Sequence, residues 1–159
     1  MPGYSTRAIT PADLDTICHH RDAMFRDMGT REEILAPMKQ GFRAWLEPKL
    51  GAGTYLGWIV ENDGAPIAGV GMFILDWPPH IWHPTDDRRA YILNMYVEPE
   101  HCGRGLAKVL MELATEHARS LGIRFLVLHA SEAGRPIYAK LGWKPTTEMS
   151  LLLSEKAAQ

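Results

Sequence analysis

The residues Val97-Glu98-Pro99-Glu100-His101-Cys102-Gly103-Arg104-Gly105-Leu106-Ala107 have the types and spacing to hold a phosphate. Upstream, Tyr91 to Val97 is apolar on both faces, which predicts a central strand covered on both sides. Downstream, Leu106, Val109, Leu110, Leu113, His117 and Leu121 recur at helical spacing. The segment is therefore a strand, a glycine turn and a helix start. A helix N-terminus presents unpaired N–H groups and the positive end of the helix dipole, and glycines let backbone approach a ligand closely. Two nucleotide readings fail. Gly103 and Gly105 are followed neither by the Lys-Ser/Thr of a P-loop nor by the third glycine of a dinucleotide fingerprint.

A second segment lies beyond the next predicted strand, Ile123 to His129. It reads Ser131-Glu132-Ala133-Gly134-Arg135-Pro136-Ile137-Tyr138-Ala139-Lys140-Leu141-Gly142-Trp143. Seven positions separate Ser131 from Tyr138, two helical turns, so both can face one groove. Gly142 suits the position just past a helix end. Together the two segments resemble the GNAT superfamily of N-acetyltransferases. Its acetyl-CoA signature, Arg/Gln-x-x-Gly-x-Gly/Ala, matches the first, and its later motif Asn-x-x-Ala-x-x-Leu-Tyr-x-Lys-x-Gly-Phe matches the second. Cys102 stands where the family has Arg or Gln, Ser131 where Asn is common and Gly134 where Ala is common. The resemblance covers roughly residues 55 to 150.

The resemblance implies that main-chain N–H groups of Cys102, Gly103, Arg104, Gly105, Leu106 and Ala107 grip the cofactor pyrophosphate, with positive charge from Arg104 and Lys108. It implies that the backbone of Met95, Tyr96 and Val97 pairs with the pantetheine arm as a peptide adds to a strand edge, and that Ser131 lies at the cofactor. Tyr138 is implied as the catalytic acid. A thiol has a pKa of about 8.5 and a tyrosine of about 10, so a nearby phenol can give a proton to the departing thiolate. The activity implied is transfer of the acetyl group of acetyl-CoA to a primary amine of a small molecule, by direct attack in a ternary complex. Acetylation of protein N-termini or lysines, and an acyl-CoA-binding sensor without turnover, are the alternatives. No metal is implied.

The acceptor and the base are less legible. The central strand carries no acid; Asp76, His80, His83 and Glu98 stand near it in sequence, and water can relay a proton instead. Arg21 falls within the apolar stripe Leu14, Ile17, Cys18 and Met24, where a charge needs a partner or a route to water. It can bind a substrate carboxylate or phosphate, or serve a structural ion pair. Trp82 and His83, with Trp77 and His80, make the 76–89 loop aromatic enough to wall a substrate pocket or to form a homodimer contact.

The elements that must position these groups follow from pattern. Thr6 to Ile9 reads as a strand, and Thr10-Pro11-Ala12-Asp13 as a helix start that Gly29 ends. Thr30-Arg31-Glu32-Glu33 opens a second helix, with Pro37 expected to kink or split it. Tyr55 to Glu61 and Pro66 to Leu75 form a hairpin around Asn62-Asp63-Gly64-Ala65. A last stretch near Thr146 to Leu153 completes the order β-α-α-β-β-β-α-β-α-β. That is a mixed α/β chain with a partly antiparallel central sheet flanked by helices, the order of the GNAT acyl-CoA N-acyltransferase fold.

At 159 residues the chain is expected to form one domain. A net charge of -2 leaves no electrostatic footprint for nucleic acid or an anionic membrane. No apolar run approaches a membrane span, Met1 to Tyr4 is expected to lead directly into a strand and not to be a signal peptide, and the two cysteines lie far apart, so the expected compartment is the reducing cytoplasm.

Overall fold

Hydrophobic pattern and turn chemistry build a five-stranded sheet in the computed structural model, which describes residues 3–153. The strands are β1 (Tyr4–Ala8), β2 (Tyr55–Asn62), β3 (Ala65–Asp76), β4 (Arg88–Val97) and β5 (Leu126–Leu128), in spatial order one to five. β1 to β4 pair antiparallel, and β5 joins β4 in parallel. The β2–β3 connection is the two-residue turn Asp63-Gly64, with φ of 50° and 82°. Both values are positive, as a turn that continues the strand twist requires.

The helices are α1 (Leu14–Asp27), α2 (Glu32–Gly51), α3 (Leu106–Ser120) and α4 (Arg135–Lys140). At the start of α1 the Thr10 N–H donates to Asp13 Oδ2 at 2.7 Å, the reciprocal half of a capping box, while Arg7 grips the same carboxylate through two nitrogens. Each helix stops at a left-handed glycine: Gly29, Gly53, Gly122 and Gly142. Past α4, the Trp143 N–H donates to Tyr138 O and the Gly142 N–H to Ala139 O, the paired bonds of a Schellman ending.

One core cluster joins Ile17 and Cys18 of α1, Phe42, Leu46 and Leu50 of α2, and Tyr55 of β2. Helix α3 packs against β2, β3 and β4 through Leu106, Leu110, Met111, Ala114 and Ala118. Burying each of its larger side chains stabilises the chain by about 1.5–3 kcal/mol. Of the residues expected to form that stripe, Leu121 is exposed, because it caps the helix.

Two expectations need correction. Helix α2 runs unbroken through Pro37. The proline deprives only the Glu33 carbonyl of its donor, and Glu33 is exposed, so water can take that place. The stretch from Thr146 to Leu153 forms no strand; Met149, Leu151, Leu152 and Leu153 are highly exposed. An apolar run becomes a strand only where a sheet edge pairs its N–H groups.

The chain divides into two compact units, Met1–His129 and Ala130–Gln159. The first holds the sheet and α1 to α3, the second α4 and its flanks. No helix among the described residues is long and apolar enough to cross a membrane.

Candidate active site

Strand β4 carries one residue more than its partner can match. Gly69 pairs with Tyr96 and Gly71 with Leu93, so the β3 step of two residues faces a β4 step of three. The extra residue makes a bulge, and Asn94 in it adopts φ of 54°. Asparagine is among the few non-glycine residues that tolerate this conformation. The bulge resets the alternation of β4. Before it, Tyr91 and Leu93 face α1 and α2: Tyr91 packs on Phe73, and Leu93 packs on the Phe42 cluster. Beyond it Tyr96 takes that face, its ring 5.4 Å from that of His20.

The bulge also marks where β4 and β5 part. Their pairing runs Ala90–Leu126, Tyr91–Val127 and Ile92–Leu128 and ends there. Past Ile92, the β5-facing N–H and C=O groups of β4 have no strand partner among the described residues. The Tyr91 hydroxyl and the His129 imidazole hydrogen-bond near the point of separation. Met95, Tyr96 and Val97 all lie on this open stretch.

Continuing along the chain, Pro99–His101 form a single 3-10 turn, and Gly103 and Gly105 follow with φ of 75° and 78°. Gly105 is the N-cap of α3. The N–H groups of Leu106, Ala107 and Lys108 have no acceptor within the helix, and the first internal bond runs from the Val109 N–H to Gly105 O. A Cβ added at either glycine would meet nothing within 4 Å. The surface over the turn is therefore open backbone, and a diphosphate fits it. Cys102 is exposed, its Sγ 3.7 Å from Val97 O, and its N–H, expected to reach the diphosphate, is instead bonded to Pro99 O at 3.2 Å, closing the 3-10 turn. Arg104 bonds the Glu100 carbonyl at 3.3 Å, and Lys108 sits 3.7 Å from Glu112.

A polar chain crosses the α1–α2 side of the bulge. Arg21 Nη1 donates to Asn94 Oδ1 at 2.5 Å, and Asn94 Nδ2 donates to the Tyr55 hydroxyl at 2.8 Å. Tyr55 is buried, and burial raises its phenol well above the ordinary value. Its hydroxyl fits because position 71 is glycine; a Cβ there would stand 1.9 Å from the oxygen. Asn94, Ile17, His20, Tyr55 and Gly69 line a narrow cavity under α1. His20 is buried and pushed down to about 4, chiefly by desolvation, so it is neutral at physiological pH.

In the second unit, Ser131 accepts the Gly134 N–H on its Oγ at 3.1 Å, closing the turn that leads into α4. A Cβ on Gly134 would meet Tyr138 Cε2 at 2.9 Å and Ser131 Oγ at 3.2 Å. Ser131 and Tyr138 therefore converge on the space that a side chain at position 134 would fill. Burial raises the Tyr138 phenol, which keeps its proton at neutral pH.

Trp82 and His83 sit apart from the polar chain. His83 is buried, its ring stacked 5.1 Å from Phe125 and its Nδ1 3.1 Å from Asp86 O. Trp82 is exposed, with its ring 5.6 Å from Phe125. No recorded contact of either reaches Arg21 or Asn94. Among the base candidates, Asp76 and His80 are exposed, while Glu98 accepts from the Tyr96 hydroxyl and lies within reach of His19, each at 3.3 Å. Sequence reasoning missed Asn94 and Tyr55. The available signal was an asparagine inside an otherwise apolar strand.

Comparison with known proteins agrees with this geometry. A family model described as "Acetyltransferase (GNAT) family" matches residues 15–143. A GCN5-related N-acetyltransferase from Ralstonia eutropha JMP134, known from its crystal structure, is 48% identical with a TM-score of 0.93, over 95% of this chain and 99% of that one. A predicted acetyltransferase from Clostridium acetobutylicum, crystallised with acetyl-CoA, is 28% identical with a TM-score of 0.85, over 94% of this chain and 96% of that one. Human N-acetyltransferase 8B is 28% identical over 92 residues, 56% of this chain; the match spans 38% of that protein's length.

Proposed function

The chain belongs to the GNAT acetyltransferase family, and from that premise we propose that it moves the acetyl group of acetyl-CoA to a primary amine of a small molecule in a ternary complex. One observation carries the reading. The open edge of β4 past Ile92 leads, through the Pro99–His101 turn, to the uncovered Gly103–Gly105 turn, so two stretches of unpaired main chain, separated by N–H groups already bonded at Glu98, His101 and Cys102, can serve an amide-bearing arm and a diphosphate. When bound, acetyl-CoA supplies an activated thioester.

This chain's residues do the rest. The N–H groups from Gly103 to Lys108 hold the diphosphate, favoured by the positive end of α3. Because the grip is through backbone, a cysteine at position 102 is compatible with it. The main chain of Met95, Tyr96 and Val97 pairs with the amides of the arm and fixes the thioester beside the bulge. Tyr138, protonated at neutral pH, gives its proton to the sulfur as the C–S bond breaks. The amine arrives as the free base from the α1–α2 side, where the polar chain of Arg21, Asn94 and Tyr55 lies, and the proton it loses on attack passes to water, from which the Tyr138 phenolate recovers its own. We place the reaction in the cytoplasm, where the unpaired Cys18 and Cys102 would stay reduced.

The test is thiol release from acetyl-CoA across a panel of primary amines. Amine-dependent release with one acetyl group gained per thiol is the expected result. Tight acetyl-CoA binding with no release for any amine would leave a sensor in place of an enzyme.

A further inference from the structure

We propose that the acceptor amine carries a carboxylate and that Arg21 is the receptor for it; the proposal rests on the acetyltransferase reading above. Arg21 lies on the face of α1 turned toward β4, its guanidinium carbon 4.8 Å from the Phe25 ring centre and 4.5 Å from that of Phe42. The two rings hold the guanidinium plane in place without neutralising it. Its recorded hydrogen-bond acceptor is Asn94 Oδ1, a neutral group. Nε is closed to solvent and has no hydrogen-bond partner among the described residues.

The contrast with Arg7 is informative. That side chain, more exposed, is met by both Asp13 and Glu61. No ion pair to Arg21 is recorded among the described residues, and the groups that act on its charge are the phenols of Tyr55 and Tyr91 and the thiol of Cys18, none of them a carboxylate. Burial accordingly lowers its hold on its proton. A desolvated cation without a counter-ion is costly to the fold. An anionic ligand would offset that cost on binding, so the cation favours a charged acceptor over a neutral one.

Position gives the charge its meaning. Arg21 is bonded to the residue that makes the β4 bulge, two positions past Ile92, where pairing with β5 ends. An anion held on its free donors lies about one asparagine side chain from the open backbone assigned to the thioester. The amine and the anion of the acceptor are then only a few bonds apart. One guanidinium matches one negative charge, and its flat fork suits a carboxylate held by two N–H groups.

The experiment compares ω-amino acids of increasing chain length with their carboxamides and with the matching aminoalkylphosphonates, as acceptors for wild type and Arg21→Met. Acetyl-CoA affinity is measured in parallel. For the best chain length, wild type should use the carboxylate at least tenfold better in kcat/KM than the carboxamide, and Arg21→Met should bring that ratio close to one, mainly through KM. Equal use of carboxylate and carboxamide by wild type overturns the proposal, whether or not the variant folds, and leaves the acetyltransferase reading intact. Preference for the phosphonate also overturns it. If no amine of any charge is acetylated while acetyl-CoA binds, the acetyltransferase reading fails and the proposal with it.

Discussion

Tyr138 carries the chemistry assigned to the leaving thiolate, and a single oxygen is enough to test it. Tyr138→Phe keeps the ring above Gly134 and removes the phenol, which burial holds protonated at neutral pH. General-acid assistance contributes about 10²–10⁴-fold. Turnover at saturating acetyl-CoA should fall at least about tenfold while acetyl-CoA affinity stays within a few-fold, because the hydroxyl acts mainly on charge that develops in the transition state. Equal losses in affinity and rate would mean that α4 has moved. The residue, though not its role, was legible through its motif. Asn94 was not: a bulge is a mismatch in count between two strands, and the sequence of one strand contains no count of the other. Tyr55 was hidden for a related reason, since its hydroxyl finds a partner only after β2, β3 and β4 have aligned.

Among the elements, turns and helix ends were the most legible, because their causes are local. Asp63-Gly64, Gly29 and Gly142 each specify a left-handed conformation that the structure adopts. Thr146 to Leu153 misled because apolar alternation says that a segment can pair, while pairing itself depends on a neighbour. The β2–β3 pair offers a direct test of how elements hold the site. Position 71 faces Tyr55, and Gly71→Ala would put a methyl 1.9 Å from the hydroxyl oxygen, so the tyrosine must leave Asn94. Overpacking of this kind costs about 1–3 kcal/mol. Chemical denaturation of Gly71→Ala should show a loss in that range. The same change in a Tyr55→Val background should cost clearly less, since the clashing group is gone. An equal cost in both backgrounds would show that strand geometry, and not the tyrosine, demands the glycine.

At the scale of the molecule, one buried imidazole ties stability to pH. His20 titrates at about 4 in the folded chain because burial disfavours its charged form, against about 6.5 when unfolded. Between those values the unfolded state binds more protons, so stability is full above about pH 6.5 and falls as pH drops toward 4. The span corresponds to about 3 kcal/mol. Denaturation midpoints at pH 7 and pH 5 should differ in wild type and differ much less in His20→Gln; an unchanged difference would assign the acid sensitivity elsewhere. The account as a whole stands on backbone that grips acetyl-CoA, and Gly105 is where that claim is most exposed. A side chain at Gly105 meets no protein atom within 4 Å, so Gly105→Glu puts a negative charge over the turn without a clash, its cost to the fold being the left-handed φ of 78° that a Cβ disfavours. Equilibrium titration with acetyl-CoA should show clear saturable binding to wild type and binding weakened by about thirtyfold or more in a folded Gly105→Glu, the scale of a lost charge-assisted hydrogen bond. Equal affinity in the two proteins would contradict the account, because the cofactor would then be held somewhere other than this turn.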